Sequence, residues 1–295
     1  MMTAIIDEAA RARLVDRFGP EVGEWCDALP DLVGRLTARW NLEVRDAKPG
    51  NTGRTLLCAD GDGRSVVLKL TPERQIAADE ATALLAWAGC SRVVQVLDVA
   101  LDVGALLLEG LEPGTQLSER GAAVPWAEIG ELIGQLHATR PRAEFPALAE
   151  RCERIFAISE RRWRGSAAER HLPHEVLRRA RIRAAELATT GPVVLLHGDL
   201  HPANVLDGGP GRGSVAIDPR PSLGDPAIDV VDWVLLPLAE GGSLEDGIDA
   251  IRPYLDVDYE RVRQWCAALA PLVALPALRR DEPSAYTDTL LHMAS

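Results

Sequence analysis

The sequence predicts an α+β protein in which an antiparallel sheet is followed by a mostly helical part. Five strand-like runs lie between residues 42 and 109, and two of them are joined by DGDGR, a strong hairpin-turn signal. From Pro125 the apolar residues recur at helical spacing, beginning with the segment 126–139. A run of strands before a run of helices is typical of the α+β class.

The individual elements follow from apolar periodicity bounded by turn-forming or capping residues. Helices are predicted over 7–18, 22–40, 71–87, 126–139, 151–164, 171–189, 227–238, 244–254, 259–269 and 284–293. Strands are predicted over 42–47, 55–59, 65–70, 93–100, 105–109, 193–196, 204–206 and 214–217. Pro20 and Pro30 are expected to break the first helices or to occupy their first turns. These helices are expected to pack on the sheet-containing part of the chain.

The composition limits the partners of the protein. A net charge of −12 disfavours nucleic acid, because phosphate binding needs a basic surface; it suits a cationic small molecule, although it would also serve solubility alone. No apolar run reaches the roughly 18 residues that span a bilayer, so no membrane partner is expected. The charged N-terminal stretch does not resemble a secretory signal, and the scattered cysteines fit a reducing cytoplasm. We expect a cytoplasmic monomer or dimer.

The segment from Val193 to Asp218 contains a concentration of oxygen-bearing side chains between short strands. The last two predicted strands can pair as a hairpin about the glycine-rich turn at 207–213. Asn204 and Asp218 are nearly equidistant from that turn, so they should lie within one residue of facing each other. An amide and a carboxylate oxygen held close together suit Mg²⁺ better than Zn²⁺. Asp199 is a third group that could act beside such a metal.

Two motifs in this region carry a family resemblance. HGDLHPAN at 197–204, followed by IDPRPSLGDPAID at 217–229, resembles the aminoglycoside 6-phosphotransferase (streptomycin kinase) and hydroxyurea phosphotransferase family. The resemblance extends over about residues 44–233 and implies a bilobal protein-kinase-like fold. We therefore expect an N-lobe of antiparallel sheet plus helix over 1–110 and a mostly helical C-lobe over 111–295.

The resemblance also implies roles for the three oxygen-bearing residues. Asp199 would be the catalytic residue that orients or deprotonates the attacking hydroxyl, and Asn204 and Asp218 would hold Mg²⁺ on the phosphates of ATP. Asp218 stands where protein kinases carry Asp-Phe-Gly, but Pro219 and Arg220 follow it here. This departure suits small-molecule kinases and argues against a protein-kinase activation switch.

Lys69 is one of only two lysines among 32 basic residues, and it lies at the end of the apolar strand predicted over 65–70. Glu80 falls on the apolar face of the next helix, where an unpaired charge would be costly. We therefore predict that Lys69 pairs with Glu80. The resemblance implies that this pair belongs to the nucleotide site, with the ammonium on the α/β-phosphates. A purely structural ion pair is the alternative.

Two further segments resemble nucleotide-binding parts of the family. Residues 48–54 occupy the place of the phosphate loop, where Gly50 and Gly53 would let backbone N–H groups approach phosphate oxygens. The spacing suits an ordinary hairpin turn equally well. LLLEGLEPG at 106–114 resembles the hinge between lobes, which implies that the backbone of Glu109 and Leu111 hydrogen-bonds the adenine edge.

The predicted function is ATP- and Mg²⁺-dependent phosphotransfer to a hydroxyl of a small molecule, with an aminoglycoside such as streptomycin as the expected acceptor. Hydroxyurea, a sugar or an amino alcohol are alternative acceptors of the same chemistry. A cationic acceptor would be met by acids of the helical part, for which Asp232, Asp256 and Asp258 are candidates. Asp225 and Asp229, in the GDPxxD motif, are expected to cap the following helix and to brace the catalytic loop respectively.

Two functions of other classes compete with the kinase. His197 and His201 could belong to a zinc hydrolase, but such a site needs three protein ligands and the other histidines show no companion motif. A pseudokinase that only binds nucleotide usually lacks the base aspartate, the metal aspartate or the lysine. All three are present in this sequence.

Overall fold

The computed structural model describes residues 5–48, 50, 52–121, 123–141 and 143–294, and these residues form two compact units. The first unit extends to Arg120 and includes Leu206–Ile217; the second comprises Gly121–Val205 and the chain from Asp218 onward. This division differs from the predicted one after residue 110, because the chain up to Arg120 and the hairpin at 206–217 belong to the first unit.

The strands and helices are numbered in chain order. The strands are β1 Glu43–Lys48, β2 Arg54–Ala59, β3 Ser65–Leu70, β4 Val96–Ala100, β5 Ala105–Glu109, β6 Val194–Leu196, β7 Val205–Asp207, β8 Ser214–Ala216 and β9 Ser222–Gly224. The helices are α1 Glu8–Phe18, α2 Val22–Trp40, α3 Arg74–Ala86, α4 Trp126–Ala138, α5 Leu148–Trp163, α6 His174–Thr190, α7 Val231–Val234, α8 Leu236–Ala239, α9 Leu244–Ile251, α10 Tyr259–Arg279 and α11 Ala285–Met293. Short 3-10 turns connect several of them, including Pro202–Asn204 and Pro226–Val230.

The first unit contains the predicted five-stranded antiparallel sheet, in the order β1-β2-β3-β5-β4. Lys69 in the central strand β3 lies opposite Thr55 of β2 and Leu106 of β5. The apolar face of α2 packs on the sheet, as predicted, and forms one buried core with it, including Leu29, Leu32, Leu36, Leu56, Leu68 and Leu107. Burial of these side chains is the main stabilising contribution of the unit.

Prolines interrupt the helices less than the sequence suggests. The expectation that Pro30 breaks a helix or begins one is wrong, since α2 runs continuously through it. Likewise, α10 was expected to end at Leu269 but continues to Arg279 across Pro271 and Pro276. Each proline removes one intrahelical hydrogen bond. The cost is offset because both helices bury apolar side chains on each side of their prolines.

The second unit is mostly helical, as predicted, and its small sheet pairs β6 with β9 antiparallel. The helix predicted over 227–238 is instead a 3-10 turn followed by the short helices α7 and α8. Pro237, in the first turn of α8, explains the division because a proline cannot continue the preceding helix with a normal hydrogen bond. Within the described ranges, no helix has the length and apolar character that a membrane span requires.

Two glycines of α4 give a matched test of how this helix packs against Tyr254. A Cβ at Gly130 would lie 2.6 Å from Tyr254 Cβ and 2.8 Å from Tyr254 O, whereas a Cβ at Gly134 would meet no atom within 4 Å. We expect Gly130→Ala to lower the free energy of unfolding by about 1–3 kcal/mol. Gly134→Ala should raise it by about 1 kcal/mol through helix propensity. Urea-induced unfolding of both variants measures the two effects, and equal effects would contradict the packing at Tyr254.

Candidate functional site

The loop at 197–204 begins directly after β6, and its first residue is fixed from three sides. The backbone N–H of His197 donates to Asp229 Oδ2 at 2.9 Å, and its carbonyl accepts from the N–H of Arg220 at 2.7 Å. Its ring Nδ1 accepts from the N–H of Asp199 at 3.3 Å. The fully buried His197 is thus a structural residue of the loop.

Asp229 is the buried carboxylate that holds the start of this loop. It is 3% exposed, and besides the N–H of His197 it accepts from the N–H of Gly198 at 2.8 Å. His137 Nε2 lies 3.0 Å from the same carboxylate. Burial by itself would raise the pKa of Asp229, but the His137 hydrogen bond, the charges of both histidines and the Gly198 N–H together lower it. The predicted bracing role of Asp229 is confirmed.

Gly198 must be a glycine for two independent reasons. Its φ of 77° lies in the left-handed region, and a Cβ would come within 2.2 Å of the carbonyl oxygen of Arg220. Its own carbonyl accepts a hydrogen bond from the guanidinium of Arg151 on α5. The charge of Arg151 also interacts with the carboxylate of Asp199, which follows Gly198 in the chain. The loop is therefore held both by a residue that precedes it in the sequence, Arg151, and by residues that follow it, Arg220 and Asp229.

Asp199 and Asn204 are in direct contact. Asn204 Nδ2 donates to the backbone carbonyl of Asp199 at 2.8 Å and lies 3.3 Å from its Oδ2. A 3-10 turn at Pro202–Asn204, capped by the His201 ring at the N–H of Ala203, closes the five-residue separation between them. The half-buried carboxylate of Asp199 is thus oriented by the same amide that was predicted to bind a metal.

Asp218 lies at the other end of the hairpin that Asn204 precedes. β7 and β8 form a two-stranded sheet, and the N–H of Gly208 donates to the carbonyl of Gly213 at 2.7 Å in its turn. If that register continued beyond the strands, Asn204 and Asp218 would lie within one residue of facing each other, and this placement stays a prediction. Asp218 has a φ of 59°, a left-handed conformation that is rare for a residue with a side chain and that recurs at functional sites.

The donor set at these two residues fits Mg²⁺. Because Asn204 Nδ2 donates to Asp199, its Oδ1 is the remaining acceptor, and among the described residues nothing donates a hydrogen bond to it. The carboxylate of Asp218 adds further hard oxygen atoms, which Mg²⁺ prefers. Across the described ranges there is no group of three or more His, Cys, Asp or Glu that could hold a metal ion, so the three-ligand set of a zinc hydrolase is not found there.

The predicted Lys69–Glu80 ion pair is present in the first unit. Lys69 Nζ donates to both carboxylate oxygens of Glu80, at 2.8 and 2.7 Å. The residues are 7% and 1% exposed, which makes this one of the most deeply buried ion pairs of the chain. The cost of removing both charges from water offsets most of their Coulombic attraction. Burial of this pair is therefore no sign that its role is to stabilise the fold.

Close packing against backbone atoms explains the two glycines of the predicted phosphate loop. A Cβ at Gly53 would lie 2.0 Å from the carbonyl oxygen of Leu70, and at Gly50 it would lie 2.8 Å from the carbonyl of Gly53. Thr71 Oγ1 donates to the carbonyl of Thr52 at 2.8 Å, which ties the loop to the end of β3. Pro49 and Asn51 of this loop lie outside the described residues. A phosphate contact here stays a prediction.

The predicted hinge follows β5. The carboxylate of Glu109 does not extend into solvent but accepts from the N–H of Gln95 at 2.7 Å and pairs with Arg212 at 2.6 Å. Within the described chain, the backbone N–H of Leu111 donates no hydrogen bond. Gly110 packs against Ser65, where a Cβ would come within 2.2 Å of Oγ. The glycine is therefore explained by strand packing.

Of the acids considered for a cationic acceptor, Asp232 has the least ordinary surroundings. It lies in α7, three residues after Asp229, and its half-buried carboxylate forms no hydrogen bond or ion pair within the described part of the chain. Burial raises the pKa of Asp232 to about 6, with His201 opposing the shift and the charges of Asp199 and Asp229 adding to it. Asp258, by contrast, is occupied as the N-cap of α10.

The sheet with its buried lysine–glutamate pair, and the helical unit with its Asp–Asn loop and hairpin-end aspartate, together define a small-molecule kinase of the protein-kinase-like fold. The chain belongs to the family described as aminoglycoside/hydroxyurea antibiotic resistance kinase, whose model matches residues 39–281. It is accordingly a phosphotransferase that acts on a hydroxyl group.

Two related proteins align with most of the chain. Hydroxyurea phosphotransferase of Kitasatospora aureofaciens is 33% identical over 256 residues, which cover 84% of this chain and 73% of that protein. Streptomycin 6-kinase of Streptomyces griseus is 31% identical over 274 residues, which cover 87% and 86% respectively. The family resemblance drawn from the two loop motifs is confirmed.

Solved structures confirm the fold class. Choline kinase LicA of Streptococcus pneumoniae superimposes with a TM-score of 0.63 at 16% identity, over 90% of this chain and 97% of LicA. LicA has also been solved in complex with AMP, and that structure gives a TM-score of 0.60.

Sequence reasoning missed three residues that hold these parts in place: His137, Arg151 and Arg212. Each contacts a segment between 47 and 121 positions away along the chain. No local spacing relates such residues to their partners. His137, in the last turn of α4, contacts the Asp229 carboxylate. His137 did leave one local signal, since it lies four residues after the buried Ile133 on α4. Arg212 left none, because it lies in a glycine-rich turn without periodicity.

Asp229→Asn tests the bracing carboxylate. The amide keeps one acceptor but turns its NH₂ toward a second backbone donor, so the free energy of unfolding at pH 7 should fall by about 2–4 kcal/mol and phosphotransfer should be lost. Because folding lowers this pKa below its usual 3.8, the carboxylate's contribution is complete above that value and disappears as the pH falls further. The difference between wild type and variant in urea unfolding should therefore shrink only below about pH 4.

The control is Asp246→Asn, at an exposed carboxylate in the capping box of α9. It should cost about 1 kcal/mol and leave activity unchanged. A wild-type rate in Asp229→Asn would contradict the bracing role.

Proposed function

We propose that this kinase transfers the γ-phosphoryl group of ATP, in a Mg²⁺-dependent reaction, to a hydroxyl of a cationic aminoglycoside of the streptomycin type. The observation that carries the proposal is the contact of Asp199 with Asn204, which orients a carboxylate and leaves an amide oxygen available beside it. The family relation and the streptomycin 6-kinase relative support the chemistry and the acceptor class.

In this reaction Asp199 acts as the group that receives or orients the proton of the acceptor hydroxyl. The hydroxyl oxygen bonds to the γ-phosphorus, the bond from that phosphorus to the ADP oxygen breaks, and the proton passes toward the Asp199 carboxylate. Arg151 and Asp229, by fixing the Gly198 peptide group, keep this carboxylate from rotating away. Most of the rate enhancement then comes from placement of the reactants.

The negative charge of the ATP phosphates is compensated through Asn204, Asp218 and Lys69. Asn204 and Asp218 supply oxygen ligands for Mg²⁺, which when bound neutralises phosphate charge and polarises the transferring group. Lys69, held in one rotamer by Glu80, directs its ammonium to the α/β-phosphates. Phosphate binding then explains why Lys69 and Glu80 are buried together, which the small net stabilisation from such a pair does not.

Asp232 supports a cationic acceptor over a neutral one such as hydroxyurea. A half-buried carboxylate without an ion pair among the described residues has lost part of its hydration, and a substrate ammonium or guanidinium would compensate it. Its position three residues after Asp229, which contacts the loop, puts it on the same side of the helical turn. Asp199 and Asp232 interact electrostatically, which fits an acceptor bound beside the catalytic carboxylate.

Variants of the two aspartates of the reaction separate chemistry from nucleotide binding. Asp199→Ala should reduce kcat by about 10³-fold or more, because proton transfer and orientation are lost, and should leave the calorimetric Kd for Mg-ATP nearly unchanged. Asp218→Ala should weaken Mg-ATP binding itself, since a metal ligand is removed. Wild-type turnover by Asp199→Ala, or normal Mg-ATP binding by Asp218→Ala, would show that the roles are wrongly assigned.

Acceptor identity is tested by ADP release over streptomycin, other aminoglycosides, hydroxyurea and simple alcohols, with the product located by phosphorus NMR. Asp232→Asn should raise KM for a cationic acceptor by about tenfold, the value of one charge-assisted hydrogen bond, and change KM for ATP little. Asp288→Asn, at an exposed acid of the same unit that has no proposed role, is the matched control. Turnover of hydroxyurea alone, with no effect of Asp232→Asn, would replace the aminoglycoside proposal by a hydroxyurea kinase.

A further inference from the structure

Arg212 occupies the glycine-rich turn between β7 and β8, yet its side chain binds the strand that leads into the hinge. Its Nη1 and Nη2 donate to the two carboxylate oxygens of Glu109 at 2.9 and 2.6 Å, a bidentate arrangement. The same guanidinium donates to the carbonyl of Ser91 at 2.8 Å and to the carbonyl of Val93 at 3.0 Å. One half-buried side chain thus satisfies four acceptors from two separate segments.

The backbone around this arginine adds to the same connection. The N–H of Val94 donates to the carbonyl of Ala216 at 3.2 Å, and the N–H of Ala216 donates to the carbonyl of Arg92 at 2.8 Å. Arg92 in turn donates to the carbonyl of Arg212 at 2.6 Å. The hairpin is therefore attached to residues 91–94 by a continuous set of hydrogen bonds, all within the first unit.

The Glu109 side chain is fully committed to this arrangement. Besides Arg212, it accepts from the N–H of Gln95, while its own backbone N–H donates to the carbonyl of Gln95 at 3.0 Å. The carboxylate charge is compensated by the guanidinium, so it adds no uncompensated repulsion toward a polyanionic ligand. The orientation of the Glu109 backbone determines how the peptide groups of residues 109–111 are oriented. Among the described residues, the N–H of Leu111 has no acceptor.

We propose that Arg212 is a positioning residue for the nucleotide base: through Glu109 and the Ser91 and Val93 carbonyls, it fixes the peptide groups that hydrogen-bond the purine edge. The proposal rests on the proposed use of ATP. Removal of the guanidinium leaves the Glu109 carboxylate with the Gln95 N–H but without a compensating charge, and the peptide groups that follow β5 lose part of their fixed orientation. Binding of the base is weakened, whereas the groups that contact the phosphates are untouched.

The test compares two ligands that share the phosphates and differ in the base. Isothermal titration calorimetry gives Kd for Mg-ATP and for Mg-tripolyphosphate with wild type, Arg212→Gln, Arg212→Lys and Glu109→Gln. Arg212→Gln should raise Kd for Mg-ATP, and KM for ATP, by about tenfold and leave Kd for tripolyphosphate and KM for the acceptor unchanged. Arg212→Lys, which keeps the charge but loses the planar fork, should be intermediate and serves if the glutamine variant does not fold.

The matched control is Arg120→Gln, which removes another arginine of the same unit that pairs with the hairpin, at 3.5 Å from Asp207, without contact to Glu109. It should leave both dissociation constants unchanged. An equal loss of Mg-ATP and tripolyphosphate binding in Arg212→Gln, or no loss of either, overturns the positioning role. Failure of the wild type to bind Mg-ATP would instead overturn the proposed use of ATP, so the two failures are distinguishable.

Discussion

The hydrogen bonds from the N–H groups of His197 and Gly198 to Asp229 are the interaction on which the catalytic segment depends. They fix two consecutive peptide groups at the point where β6 ends and an extended chain turns sharply. A buried carboxylate can accept both N–H groups because each of its oxygens takes one, and His137 stabilises the charge that results. With its start fixed in this way, the loop needs only the 3-10 turn at Pro202–Asn204 to bring Asn204 into contact with Asp199.

The same physical device recurs elsewhere in the chain. Arg261 and Trp265 of α10 both donate to Asp225 Oδ2, at 2.6 and 2.7 Å, and the other oxygen of Asp225 caps the turn that contains Asp229. In the first unit, Arg212 compensates Glu109 in a similar way. Arginine suits these positions because its planar fork can satisfy several acceptors from sequence-distant segments at once. A chain with only two lysines relies on arginine for nearly all such connections.

Much of this was predictable from the sequence, for reasons that differ between elements. β3 and β5 were predicted with their observed limits because short apolar runs beside glycine-containing turns are local signals. The Lys69–Glu80 pair was predictable since an acid on an apolar helix face requires a nearby cation. Helix α10 was cut short at its prolines, because the tertiary burial that offsets a missing hydrogen bond is not a local property. The partners of Asp229 and Glu109 were missed for a related reason: contacts over such separations leave no periodic trace.

The hairpin at 206–217 has a consequence for how the protein is made. Residues Leu206–Ile217, which contain β8 and all of β7 except Val205, belong to the first unit, although Gly121–Val205 precedes them in the chain. During synthesis, the sheet of the first unit therefore emerges from the ribosome well before the piece that completes it. The contacts of Arg212 with Ser91, Val93 and Glu109 cannot form until the hairpin at 206–217 has also been translated.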